Sequence, residues 1–248
     1  MFFFIKPSVI HLDCFTQDAR VHKYHPVASA TNFYPNWWKN LPKSIANEKW
    51  WRVPTIKSCT GFTEYYKNSI SIPLWTELVI DIQPGTGVRC QFADNKSVID
   101  THEGNQYENF VDPTSFLHLK ILSPWAFKTK KSVKWTWNFP VWNYNRPDEL
   151  VVLPGVVNYK YTRGTHINMF VNITQAKEIF LNANTPIINL IPMSDNHVKI
   201  HNHLVDAVEY EKIMVAGNIP AYFFNKYQKS KKDITQLESK CPFGFGKK

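Results

Sequence analysis

Apolar and polar positions change their rhythm along the chain, and the clearest rhythm is that of strands. Residues 69–82 read Ser-Ile-Ser-Ile-Pro-Leu-Trp-Thr-Glu-Leu-Val-Ile-Asp-Ile, β-branched and aromatic, and the second half alternates with Leu78, Ile80 and Ile82 on one side. Gln83-Pro84-Gly85-Thr86-Gly87 has the composition of a turn, so residues 88–92 are predicted to return as the second strand of a hairpin. Further strands are predicted at 116–122, 132–139, 150–153, 166–171 and 185–192. Pro and Gly interrupt them at the spacing of a sandwich or closed barrel.

Helical patterns are few. Residues 174–181 allow two turns with Thr174 as the cap, in competition with strand geometry. Residues 206–215 form the stronger case, with Asp206 as cap, Glu209 three positions on and Gly217 just past the end. A further short helix is predicted at 221–231. Residues 1–55 crowd Pro, His and aromatic residues without a period. Within them Pro35 and Pro42 bracket Asn36-Trp37-Trp38-Lys39-Asn40-Leu41 and leave room for only a short helical turn. The pairs Trp37-Trp38 and Trp50-Trp51 are expected to plug this segment into the main body.

The expected fold is therefore mainly β: a single jelly-roll or double-stranded β-helix-like sandwich over 56–205. An irregular Pro/Trp-rich cap (1–55) precedes it, C-terminal helices (206–232) pack on it, and a basic tail (233–248) follows. Five phrases occur together: Tyr34-Pro-Asn-Trp-Trp-Lys39, Ile56-Lys-Ser-Cys-Thr-Gly61, Ile72-Pro-Leu-Trp75, Leu122-Ser-Pro-Trp125 and Asn184-Thr-Pro-Ile-Ile-Asn-Leu-Ile-Pro192. Together they resemble an uncharacterised family of small β-rich proteins encoded by marine tailed phages, cyanophage-like, and by some bacteria. The resemblance spans about residues 30–210. It implies a phage origin, a compact jelly-roll-like fold and residence in the host cell cytoplasm. It transfers no reaction and no functional residue.

Composition narrows the classes. The chain has 248 residues, 44% hydrophobic and 15% aromatic with 20% charged, the reverse of a disordered protein. Cys14, Cys59, Cys90 and Cys241 are scattered, with neither a zinc-ribbon nor a redox spacing, and reduced thiols in a cytosolic protein are expected. Lys6-Pro7 ends the opening apolar run too early for a signal peptide, and no stretch reaches the length of a membrane span. The net charge is +9, and residues 226–248 hold five of the nine excess positive charges. This asymmetry points to a protein partner for the Lys-rich tail rather than to duplex nucleic acid or a membrane.

Candidate chemistry rests on histidine and tryptophan. In Val198-Lys-Ile-His201-Asn-His203-Leu-Val205, period two places His201 and His203 on one strand face, where two imidazoles can chelate a divalent transition metal. A cupin-type centre would add His118 or His166 from a facing strand. The His pair comes late for a cupin, and the next acidic residue, Asp206, is needed as a helix cap. His11-Leu12-Asp13 matches the first element of a 2-oxoglutarate oxygenase triad, but it falls in the segment read as irregular. Trp135 and Trp137 share a face just after Lys128, Lys130, Lys131 and Lys134, a pattern that suits stacking of a glycan or single-stranded nucleic acid. No G-x-S-x-G or phosphate loop is present. The first functional reading is a non-enzymatic phage accessory or interaction protein. The second is a cupin-like metalloprotein built on the His cluster, and the third a binder using Trp135 and Trp137.

Overall fold

The computed structural model describes residues 8–49, 51–84, 87–144 and 150–215. Its strands run in chain order as β1 (Ile10–Thr16), β2 (Ala28–Ser29), β3 (Ser44–Ala46), β4 (Arg52–Pro54), β5 (Ile70–Pro73), β6 (Leu78–Gln83), β7 (Gly87–Phe92), β8 (Ile99–Thr101) and β9 (Phe116–Leu122). They continue as β10 (Ala126–Thr129), β11 (Trp135–Asn138), β12 (Leu150–Val152), β13 (Gly155–Val157), β14 (His166–Asn172), β15 (Lys177–Leu181), β16 (Pro186–Pro192) and β17 (Val198–Leu204). Four short α-helices accompany them: α1 (Ala19–Tyr24), α2 (Asn36–Asn40), α3 (Thr60–Asn68) and α4 (Ala207–Val215). The protein is mainly β, as its alternation predicts. The described strands divide among several sheets, in the orders β10-β1-β17, β13-β11-β16-β5-β2, β12-β14-β9-β8, β15-β6-β7 and β3-β4, and they do not close a barrel.

Local sequence explains most pairings. On β6 Leu78, Ile80 and Ile82 all point inward and β7 returns antiparallel beside it, which is the predicted hairpin. β16 lies between β11 and β5, and its residues from Pro186 to Leu190 are buried on both faces, so it reads as a continuous apolar run. One apolar cluster draws on all four larger sheets, with Trp125, Trp135, Phe127 and Tyr159 completely enclosed.

Three expectations change. The run 69–82 is two strands in two sheets, because the chain leaves β5 after Pro73 and enters the β6 hairpin at Leu78. Residues 174–181 do not form a helix: Lys177–Leu181 is β15, antiparallel to β6, with Ile179 and Leu181 inward and Glu178 and Phe180 outward. Thr174 instead donates its N–H and hydroxyl to Asn172 Oδ1, closing a turn. Finally, the segment read as irregular contains β1, whose Ile10, Leu12 and Cys14 are fully buried. β1 pairs antiparallel with β10 and parallel with β17.

The rest of the N-terminal segment is the expected collection of short turns. α2 occupies the space between Pro35 and Pro42, and α3 packs on it through a second, smaller cluster of Ala30, Phe62 and Tyr66. At the other end α4 forms where expected, with Asp206 Oδ1 accepting from Glu209 N at 2.8 Å. The predicted helix at 221–231, the tail at 233–248, Gly217, Cys241 and Trp50 lie outside the described residues.

Candidate functional site

Alternation on β1 turns His11, Asp13 and Phe15 away from the core, and β17 presents His201 and His203 to the same face. His11 Nδ1 and His201 Nε2 meet at 2.9 Å, and His203 Nε2 reaches Asp13 Oδ1 at 2.9 Å while its ring stacks on Phe15. The two imidazoles of the first pair have centroids 5.1 Å apart and planes within 16° of parallel. At 2.9 Å the facing ring nitrogens are within hydrogen-bond distance of one another, one donating and the other accepting according to the tautomer.

The other predicted ligands are elsewhere. His118 is on β9 and His166 on β14, in a different sheet from His201 and His203. His166 pairs with Leu122, four residues along β9 from His118, so the two are roughly 13 Å apart along the strand direction and cannot share an ion. His118 is sandwiched between His102 and Phe170, with centroids 4.5 and 4.9 Å away, and its Nε2 is buried without a partner. Burial first, then the neighbouring His102, hold its pKa below the ordinary value. Burial does the same to His166, with Lys120 adding to it. Among the described residues no group of three or more His, Cys, Asp or Glu is disposed to hold a metal ion. The cluster of His118, His166, His201 and His203 is thus not assembled. His11-Leu12-Asp13 does sit on a rigid strand facing a histidine, contrary to expectation, yet its two polar side chains belong to separate pairs.

Trp135 and Trp137 do share a face, and it is the inner one. Trp135 is 0% exposed, and Trp137 lies over Gly155 with its Nε1–H donated to Leu153 O at 2.9 Å. Lys134 is exposed next to the buried Trp135, because neighbouring residues on an extended chain alternate. Trp135 offers no stacking face, and Trp137 is partly buried with its ring laid on Gly155.

Aromatic faces open to solvent occur instead on the N-terminal cap. Trp37 is 40% exposed and Trp142 39%, and Trp37 Nε1–H donates to Trp142 O at 2.9 Å. Both rings stand edge-on to the buried Phe62, at 5.9 and 5.1 Å. Trp38 stacks on Tyr34 at 4.1 Å, and Lys57 lies over it at 5.0 Å while donating to Lys39 O. The turn carrying Trp142 is fastened by Asn143, which accepts from the Tyr66 hydroxyl at 2.8 Å and donates to Phe33 O at 2.6 Å. The β3–β4 hairpin that follows α2 carries Trp51, 72% exposed. Residues 36–67 hold six Lys and Arg against Glu48 and Glu64.

The sequence contained a usable signal here. Consecutive residues on a helix point about 100° apart, so Trp37 and Trp38 cannot both plug one core. Trp38 packs and Trp37 stays open. Cys59 is exposed at the start of α3, whereas burial raises the pKa of the Cys14 thiol and pushes that of Cys90 to about 11.

A cleft of about 590 Å³ opens at the end of β1, lined by Thr16, Asp18, Trp75, Asp94, Ser97 and Tyr210 among others. Its most buried carboxylate is already engaged. Burial alone would raise Asp94, but the Ser97 and Lys96 N–H groups, the Ser97 hydroxyl and Arg20 outweigh it and hold the pKa below the usual range. Comparison with family models, curated proteins and solved structures finds no match for this chain.

Proposed function

We propose that the protein is a non-enzymatic accessory or interaction protein and that it captures its partner on the aromatic cap. One observation carries the reading: Trp37 and Trp142 are about two-fifths exposed, yet each is fixed from below by Phe62 and the two are joined by a hydrogen bond. A large apolar ring held rigidly in solvent loses little entropy on binding, which is why Trp dominates the energetic centres of interfaces. Residues 36–67 carry six Lys and Arg against two Glu, and this excess positive charge supplies encounter rate for an acidic partner.

The test compares the tagged wild-type chain with the Trp37→Ala/Trp142→Ala form, both recovered from the native cell. The expected result is a protein or nucleic acid that accompanies the first and is lost from the second, with circular dichroism unchanged. Recovery of the same material with both forms, or of nothing with either, overturns the reading.

A further inference from the structure

We infer that His118 is a proton-operated latch on residues 102–115: its neutral ring holds this segment on the outer face of the β12-β14-β9-β8 sheet, and a proton taken up there lets it lift. The segment leaves β8 at His102, whose N–H donates to His118 O at 3.3 Å, and rejoins the sheet at the start of β9. Within it backbone bonds stay local, since Gln106, Tyr107, Glu108, Phe110 and Val111 donate to Glu103, Gly104 or Tyr107. Tyr107 anchors it to the sheet. That residue is 9% exposed, its hydroxyl donates to Phe116 O at 3.2 Å, and its ring stands edge-on to His118 at 5.8 Å and to Phe170 at 5.3 Å.

His118 lies at the centre of this contact, stacked between His102 and Phe170, with its Nε2 enclosed and unpartnered. A neutral ring tolerates that place, whereas an imidazolium would bury a charged N–H without an acceptor, against a second imidazole. The groups around it set the sign. Lys120 follows two residues on along β9, and Asp100 on β8 is paired with Lys120. β14 supplies Asn168 and Phe170, with His166 farther along, and the segment carries His102, Glu103, Glu108 and Asp112. Asp112 is engaged by Thr114 and Ser115, and His102 by Gln106. Asn168 favours the charged ring, but burial first, then His102 and Lys120, outweigh it. Lifting Tyr107 and His102 admits water and returns the ring to its ordinary value near 6.5. The open form therefore binds the proton better, so closure is strongest above about pH 6.5 and weakens as pH falls below it. What the lift uncovers is Phe170, 5% exposed and paired in register with Val151 and His118.

The experiment is amide hydrogen exchange of the full chain read by mass spectrometry from about pH 7.5 to 5, with rates corrected for the intrinsic effect of pH. Peptides covering residues 104–111 are expected to lose protection below about pH 6.5, by up to about tenfold per pH unit, and to exchange faster than β16 at every pH. His118→Phe keeps a ring between His102 and Phe170 but cannot take a proton, so its segment should stay equally protected across the range. His118→Gln removes ring and proton together, and should give weaker protection that likewise does not vary with pH. Exchange of 104–111 in step with β16 would mean that the segment opens only when the whole chain unfolds, and the latch would be refuted. A pH dependence that persists in either variant would refute it equally, because the proton would then act elsewhere.

Discussion

Gly155→Ala tests the inward placement of Trp137 and with it the reassignment of the binding surface. Gly155 pairs with Trp137 across β13 and β11, and the indole lies so close over it that a Cβ would collide with the ring. The alanine backbone itself is not strained, because Gly155 is not among the residues with positive φ. The ring must therefore move, which costs about 1–3 kcal/mol as overpacking. Moving it also breaks the bond from Nε1 to Leu153 O, worth about 1 kcal/mol. The expected loss is roughly 2–4 kcal/mol, and with a urea slope of about 3 kcal/mol/M the midpoint falls by about 1 M. In a Trp137→Ala background the obstacle is gone, and the same Gly→Ala change becomes neutral or stabilising by about 0.4–1 kcal/mol through the unfolded state. Urea denaturation followed by far-ultraviolet circular dichroism gives all four corners of the cycle. A coupling below about 0.5 kcal/mol would show that the ring does not lie on Gly155, and Trp137 would be available to a ligand after all.

Two other outcomes follow from the packing. His25, His118 and His166 all have pKa values lowered first by burial, so the folded state holds them neutral while the unfolded chain takes up protons near pH 6.5. Stability is full above that value and is lost as pH falls through and below it; thermal midpoints measured from pH 8 to 5 should drop, and His118→Gln/His166→Gln should flatten the slope. An unchanged slope would place the acid sensitivity elsewhere. Tyr66→Phe removes the donor to Asn143 beneath the aromatic cap and should cost about 1–2 kcal/mol in chemical denaturation, with little change if that hydroxyl bond is not formed.

Much of the body was legible because strands advertise themselves by period two and by length. Residues 116–122 and the β6–β7 hairpin carry alternation strong enough to survive any tertiary arrangement, and the apolar run of β16 signals a strand covered on both sides. The failures share a cause. Thr174–Leu181 satisfies a helix cap and a strand face equally well, and only the neighbouring β6, about 100 residues away in sequence, decides between them. Sheet membership was likewise invisible, which is why His118 and His166 were grouped with His201 and His203. Period two tells which face a residue takes and says nothing about which sheet supplies the opposite wall.

The same limit explains the histidine pairs. Period two puts His201 and His203 on one face, but their partners, His11 and Asp13, are each 190 residues away in a segment whose periodicity is weak. The alternation of β1 is present: Ile10, Leu12, Cys14 and Thr16 inward, His11, Asp13 and Phe15 outward. Its inner face mixes two aliphatic residues with a thiol and a hydroxyl, which weakens the hydrophobic signal. Once β1 and β17 are neighbours, the chemistry follows from geometry. For His11 and His201 to ligate an ion through these nitrogens they must give up the contact between them; for His203 to help, it must release Asp13. Each pair already satisfies its own donors and acceptors across the parallel β1–β17 seam. Lys128 and Lys199 extend the outer face at the positions paired with Asp13 and His11, so an added cation would meet like charge on both flanks. The His-x-His pattern here therefore takes part in a side-chain ladder that joins two strands from opposite ends of the described chain.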